Sequence, residues 1–184
     1  IVPDGLYKDG LQRARFLPAI ALIKQNTDIV NVDSGVDYRL RHLEQAELYH
    51  FPLNEASEKC LRESFKALTH NSSKVIENDD LIIENRTIRA VRTCDDVAWF
   101  DFRELCDGPR SQNDYIELGK IFNAVIISGV EQMDVKSDDI ARRFINMVDE
   151  FYDRGVKLII SAEVELKDLY KGGRLNFEFQ RTLS

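Results

Sequence analysis

The 184-residue chain holds one tryptophan, two methionines, three cysteines, three histidines and four prolines, and each scarcity narrows what it can be. Cys60, Cys94 and Cys106 are odd in number and widely spaced, with no C-x-x-C pair among them. This excludes a disulfide framework or a zinc ribbon and leaves reduced thiols packed as small apolar groups. His42, His50 and His70 fall in polar or turn contexts without metal-ligand spacing, so they read as surface or structural histidines. Long apolar runs are missing as well. The longest, around residues 16–23 and 124–130, are far too short to span a bilayer. A basic excess is also absent: the net charge is −7, against broad nucleic-acid binding, which rests on neutralising phosphates with a cationic surface.

Self-contained catalytic motifs are scarce too. A phosphate-cradling loop needs G-x-x-x-x-G-K-[ST], because backbone amides, a lysine and a metal-binding hydroxyl must converge on the phosphates. The nearest approach is Asp114-Tyr115-Ile116-Glu117-Leu118-Gly119-Lys120-Ile121, with aspartate for the first glycine and isoleucine for the hydroxyl. It is not such a loop. No G-x-S-x-G elbow occurs, and no cysteine has a histidine nearby in a recognisable motif.

What is present is a globular composition, 43% apolar and 31% charged, sufficient for one medium domain or two small ones. Residues 17–24 read as a short helix with Pro18 in its first turn and Phe16, Ile20 and Ile23 on one face. Residues 28–33 and 38–41 read as extended. Asn54 caps a helix running to about Leu68, with Cys60, Leu61, Phe65 and Leu68 on its inner side. Residues 69–80 read as a polar loop. Three β-like runs follow at 81–84, 87–92 and 97–102, jointed at Asn85-Arg86 and Asp95-Asp96 as a small antiparallel meander. A helix is expected over 114–122.

The strongest pattern lies further on. Residues 124–128 form a continuous apolar run suited to a strand buried on both faces. Residues 137–154 form an amphipathic helix with Ile140, Phe144, Met147, Val148 and Phe151 inward, ended by Gly155. Residues 156–162 are a second buried-type strand. Strand, helix, strand makes a βαβ unit with two parallel strands. One internal echo is visible: Leu169-Tyr170-Lys171-Gly172-Gly173 with Phe179 beyond resembles Leu6-Tyr7-Lys8-Asp9-Gly10 with Phe16. A strand is therefore expected before the first copy also.

Three further groups carry potential chemistry. Asp149, Glu150 and Asp153 share one helix end and read as a solvated face, the alternative being a cation site. Asp101 follows an apolar run, superficially like a strand-end magnesium aspartate. Arg13 and Arg15 precede a short helix beside glycine-containing turns, where a fixed guanidinium can stabilise charge on a γ-phosphate; for either, a salt bridge or solvent exposure is the plainer reading. Arg181 lies in Phe179-Gln180-Arg181-Thr182 at a possible helix start.

Leu6-Tyr7-Lys8-Asp9-Gly10-Leu11-Gln12-Arg13 with Phe16-Leu17-Pro18 resembles the ZapE family of AAA+-like P-loop ATPases of bacterial cell division, which has mitochondrial relatives. Val36-Asp37-Tyr38-Arg39, Trp99-Phe100-Asp101-Phe102, Asn113-Asp114-Tyr115, Arg143-Phe144-Ile145, Asp149-Glu150-Phe151-Tyr152-Asp153 and Phe179-Gln180-Arg181-Thr182 extend the match along the chain. The resemblance implies an α/β fold: part of a P-loop NTPase sheet with a βαβ unit, a small meander and lid-like helices. It implies residues 1–68 as the end of the ATPase core with the arginine-finger segment, 69–106 as a β-meander insertion, and 107–184 as a C-terminal βαβ and lid-like segment.

By the same resemblance, Arg13 matches a candidate arginine finger acting on a neighbouring subunit's nucleotide, and Arg181 a candidate sensor arginine. The Walker A and B motifs belong upstream of Leu6, so both chain ends read as cut points and this chain alone is expected not to hydrolyse ATP. ATP and Mg2+ are expected in the intact protein, with none bound here. A protein partner (the division ring is one candidate), a homo-oligomer and a cytoplasmic location are implied, or the mitochondrial matrix for a eukaryotic relative. The competing reading is a non-catalytic interaction module that docks a partner through Trp99 and Phe100 in the meander. A third is a nucleic-acid-associated ATPase fragment, against which the acidic balance speaks.

Overall fold

Val97-Ala98-Trp99-Phe100 has no polar side chain on either face, which suits a strand enclosed on all sides. In the computed structural model it is. The structure describes residues 3–6, 13–28, 48–69, 74–172, 174–175 and 178–179. They fall into two compact units, Ile1–Val36 and Asp37–Ser184.

In the first unit, 3-10 turns at Pro3–Gly5 and Arg13–Arg15 lead to α1, Leu17–Asn26, with proline in its first turn as the sequence predicts. Ile20 is its buried residue, while Leu17 and Leu22 are exposed. Of the strand expected at 28–33 only Asp28 is among the described residues, and it is in no strand; the extended piece expected at 38–41 lies outside them.

The second unit is mixed α/β, built on a six-stranded sheet. The strands are β1 (Tyr49–His50), β2 (Ile76–Ile83), β3 (Arg86–Cys94), β4 (Val97–Asp101), β5 (Ala124–Val130) and β7 (Lys157–Ala162), in the order β1-β7-β5-β4-β3-β2. The pairs β1–β7, β7–β5 and β5–β4 are parallel, and β4–β3 and β3–β2 antiparallel. A small parallel pair, β6 (Met133–Asp134) and β8 (Tyr170–Lys171), stands apart. Helices α2 (Glu55–Leu68), α3 (Phe102–Cys106), α4 (Gln112–Ile121) and α5 (Asp138–Asp153) cover both faces.

Alternation along the strands explains the layers. Val97, Trp99, Ala124, Ile126 and Ile159 pack with Leu61 and Phe65 of α2. Ala98, Phe100, Val125, Ile127 and Ile160 pack on the other face with Phe102, Leu105, Tyr115, Leu118, Phe144, Met147 and Phe151 of α3, α4 and α5. The expected helix inner faces are recovered: Leu61 and Phe65 are buried, and so are Phe144, Met147 and Phe151. Asn54 caps α2 through a capping box with Ser57. After α5, Gly155 at φ +66° donates to the Tyr152 carbonyl and Val156 N–H to the Phe151 carbonyl, a Schellman close that aims the chain into β7. The βαβ unit β5–α5–β7 is thus present.

Two expectations need correction. Residues 76–80 are not loop but the first half of β2. Their polarity is compatible with a strand because each charge meets a cross-strand partner: Asp80 pairs with Arg89 at 2.7 Å, Glu77 with Arg92 at 3.0 Å, and Asp79 accepts from the Thr93 hydroxyl at 2.6 Å. The Arg89 guanidinium holds the Asp80 carboxyl below its usual range. The first hairpin joint is Glu84-Asn85 rather than Asn85-Arg86, both residues at positive φ as a two-residue hairpin turn requires. This frees Arg86 to enter β3 and reach Asp114. The meander itself is no separate sheet, since β4 closes it on one edge and opens the parallel half on the other.

The Asp114 side chain is fully buried. It accepts two bonds from Arg86 at 2.7 Å, one from the Ser111 N–H at 2.6 Å and one from the Ser111 hydroxyl at 3.1 Å. Arg86 also donates to the Pro109 carbonyl at 2.7 Å. Arg86→Met is expected to destabilise the protein by about 3 kcal/mol, because it strands a buried carboxylate. Arg86→Met with Asp114→Leu is expected to cost less than Arg86→Met alone; denaturant titration reads the ordering, and an equal or larger double-variant loss would contradict it.

Burial pushes the Cys106 thiol and the Tyr115 hydroxyl up from their ordinary values. Both groups ionise more readily unfolded than folded, so their contribution to stability is present below about pH 8.5 and is lost as the pH rises above it. Cys60 is half-buried, whereas Cys94 and Cys106 are buried. Native protein is therefore expected to give one fast-reacting thiol with an aromatic disulfide reagent and three after unfolding. A second fast thiol in the folded state would contradict this packing.

Candidate functional site

In open α/β sheets, ligands bind beyond the carboxyl ends of parallel strands, because side chains and helix N-termini converge there. Here that edge carries one polar residue per strand. Asp101 of β4 lies opposite Ser128 of β5, and His50 of β1 opposite Ser161 of β7. Ser128 accepts from the Trp99 indole at 3.0 Å and donates to the Phe100 carbonyl at 3.3 Å; the Ser161 hydroxyl accepts from the Gly129 N–H at 3.2 Å. The β5–β7 register slips between Ile127 and Val130, and Gly129 sits within the slip at φ +76°, a conformation that favours glycine. The row is not legible in the sequence: His50 and Asp101 end β1 and β4, whereas Ser128 and Ser161 stand inside β5 and β7, short of their last residues.

Most of these groups are committed to the fold. Asp101 caps α3 by accepting from the Arg103 N–H at 2.9 Å, so its likeness to a strand-end magnesium aspartate is superficial, as the sequence reads. Arg103 is paired with Glu131. Glu150 is buried and held by Gln112 and Arg154, which removes it from a solvated carboxylate face with Asp149 and Asp153. Among the described residues no group of three or more His, Cys, Asp or Glu side chains comes together to hold a metal ion. The P-loop look-alike is the helix α4. A methyl group on Gly119 would come within 2.7 Å of the Arg154 side chain, and Lys120 pairs with Glu117 at 2.6 Å, so neither is available to a phosphate.

Arg13 belongs to the first unit. Its guanidinium donates to the Asp4 carbonyl at 2.7 Å, while the Asp4 carboxylate pairs with Lys24 of α1 at 2.8 Å. The Pro3–Gly5 turn, the Arg13–Arg15 turn and α1 thus bracket one half-buried arginine. Arg15 is exposed. Arg181, His42 and His70 lie outside the described residues. Trp99 and Phe100 are 2% and 0% exposed, so the docking surface of the competing reading is not offered by those side chains. Trp99 packs 6.2 Å from the Phe65 ring, with Arg92 5.8 Å from its centroid. No helix among the described residues is long and apolar enough to cross a membrane.

A family model described as "AFG1-like ATPase" matches residues 1–184. The cell division protein ZapE of Escherichia coli is 47% identical over 184 residues, all of this chain and 48% of its own length. Lactation elevated protein 1 homolog B of Danio rerio is 34% identical over 97% of this chain and 36% of its own length. The uncharacterized protein C115.02c of Schizosaccharomyces pombe is 32% identical over 91% of this chain and 37% of its own length. The chain therefore spans about half the length of the bacterial relative and less of the zebrafish one. No solved structure matches.

Proposed function

Because the chain belongs to the AFG1-like ATPase family, we propose that it is the C-terminal part of an enzyme that hydrolyses ATP to ADP and phosphate and uses the cycle to remodel a protein partner in cell division. The family match along all 184 residues carries this reading. The chain has no G-x-x-x-x-G-K-[ST] loop in its sequence. In this reading ATP and Mg2+ are held by other residues of the full-length polypeptide, and the chain alone does not hydrolyse ATP.

What the chain contributes in this reading is a positioned cation. Arg13 is tied to the Asp4 carbonyl, a neutral acceptor that fixes the guanidinium without quenching its charge. It is presented to the γ-phosphate on a neighbouring subunit, which makes the working form a homo-oligomer. Arg181 serves as the sensor arginine near the lid. The location is the bacterial cytoplasm, or the mitochondrial matrix for a eukaryotic relative; neither a membrane anchor nor nucleic acid enters the mechanism.

The test is MgATP turnover by the full-length polypeptide, by the 184-residue chain and by full-length Arg13→Ala. Turnover is expected from the full-length protein and none from the chain. Arg13→Ala is expected to lose about 10³-fold in kcat with nucleotide binding kept. Mixing it with a variant that cannot bind nucleotide should restore part of the rate if the arginine acts in trans. A full-length protein without turnover at oligomerising concentration would overturn the enzyme reading, and an unaffected Arg13→Ala would remove Arg13 from the chemistry.

A further inference from the structure

The first seven residues of α1, Leu17-Pro18-Ala19-Ile20-Ala21-Leu22-Ile23, include no polar side chain, and seven residues carry a helix about twice around its axis. The long helices of the second unit are built differently. α2 buries Leu61 and Phe65 and turns Lys59, Arg62, Glu63 and Lys66 to solvent. α5 buries Phe144 and Phe151 and turns Asp139, Arg142 and Asp153 outward. A helix with one apolar stripe belongs at a surface, whereas a helix that is apolar all round belongs inside a core.

In this chain α1 is barely covered. Ile20 is 4% exposed, but Leu17 is 49% and Leu22 59% exposed, and Ala21 is exposed as well. Leu17 and Leu22 stand about 140° apart around the helix axis, so two sides of the helix lack cover. Among the described residues of the first unit, only Pro3 and Ile20 are buried. A ten-residue helix is marginal by itself in water, and so little burial does not offset the entropy of ordering it.

We infer that α1 is a core helix of the full-length polypeptide, and that the part of the polypeptide outside these 184 residues closes over Leu17, Ala21 and Leu22. The relatives leave length for such a cover, since this chain spans 48% of the bacterial one. A second copy of the protein is the poorer occupant, because one interface covers one side of a helix and here two sides need it. Residues 13–27 hold Arg13, Arg15 and Lys24 and no carboxylate, so the cover is apolar at its centre and acidic rather than basic at its rim. Because α1 follows the Arg13–Arg15 turn directly, the same contact fixes that turn to the covering part. The inference concerns packing alone and stands or falls independently of ATP hydrolysis.

The test places one cysteine at a time in the full-length polypeptide, Leu17→Cys or Leu22→Cys, and follows its reaction with an aromatic disulfide reagent. The unmodified protein's own thiols are subtracted. Each new thiol is expected to react at least about 100-fold more slowly in the folded protein than in denaturant, at a dilution where light scattering finds monomer. Less protection than that at either position would overturn the inference. So would protection that disappears as an oligomer dilutes to monomer, since the cover would then be a second copy. Should either variant fail to fold, Ala21→Cys, a smaller change on the same helix, takes its place.

Discussion

Strand β4 is where the second unit is decided. Its backbone must satisfy an antiparallel neighbour on one edge and a parallel neighbour on the other, so no edge is left for water. Its side chains must serve two cores at once, Val97 and Trp99 against α2 and Ala98 and Phe100 against the opposite helices. Only an all-apolar run meets both demands, since a single unpartnered polar group there would cost on the order of 1–3 kcal/mol. The meander and the parallel half are therefore held in one sheet by five residues.

The buried Asp114 complements this. A carboxylate removed from water is tolerable only when its lone pairs are filled, and Arg86 and Ser111 fill them. Because Arg86 opens β3 and Ser111 caps α4, the ion pair links the antiparallel hairpin to the crossover between β4 and β5. The link between α4 and α5 follows the same economy, with Gly119 leaving space for Arg154 and Arg154 holding Glu150.

Much of this was legible in the residues. Continuous apolar runs identified β5 and β7, a 3.6-residue period identified α5, and Gly155 marked its end. The first half of β2 was not legible, because Glu77, Asp79 and Asp80 look like loop until their partners on β3 are known. Nor was the sheet continuity through β4, which depends on pairing between distant segments. The polar row at the carboxyl edge, Asp101, Ser128, Ser161 and His50, is dispersed along the chain and only the register brings it together. Arg13 stands in a turn just before α1, as the sequence reads, but its tie to the Asp4 carbonyl is a tertiary fact that no local pattern encodes.

The chain's single tryptophan occupies the middle of β4, its ring between Phe65 and Arg92 and its indole N–H on Ser128. Fluorescence excited at the red edge, where tryptophan absorbs and tyrosine does not, therefore has one origin, at the junction of the two halves of the sheet. Light emitted there carries no signal from the helices' outer faces or from the first unit's own side chains. The molecule contains its own optical gauge of whether that junction is intact.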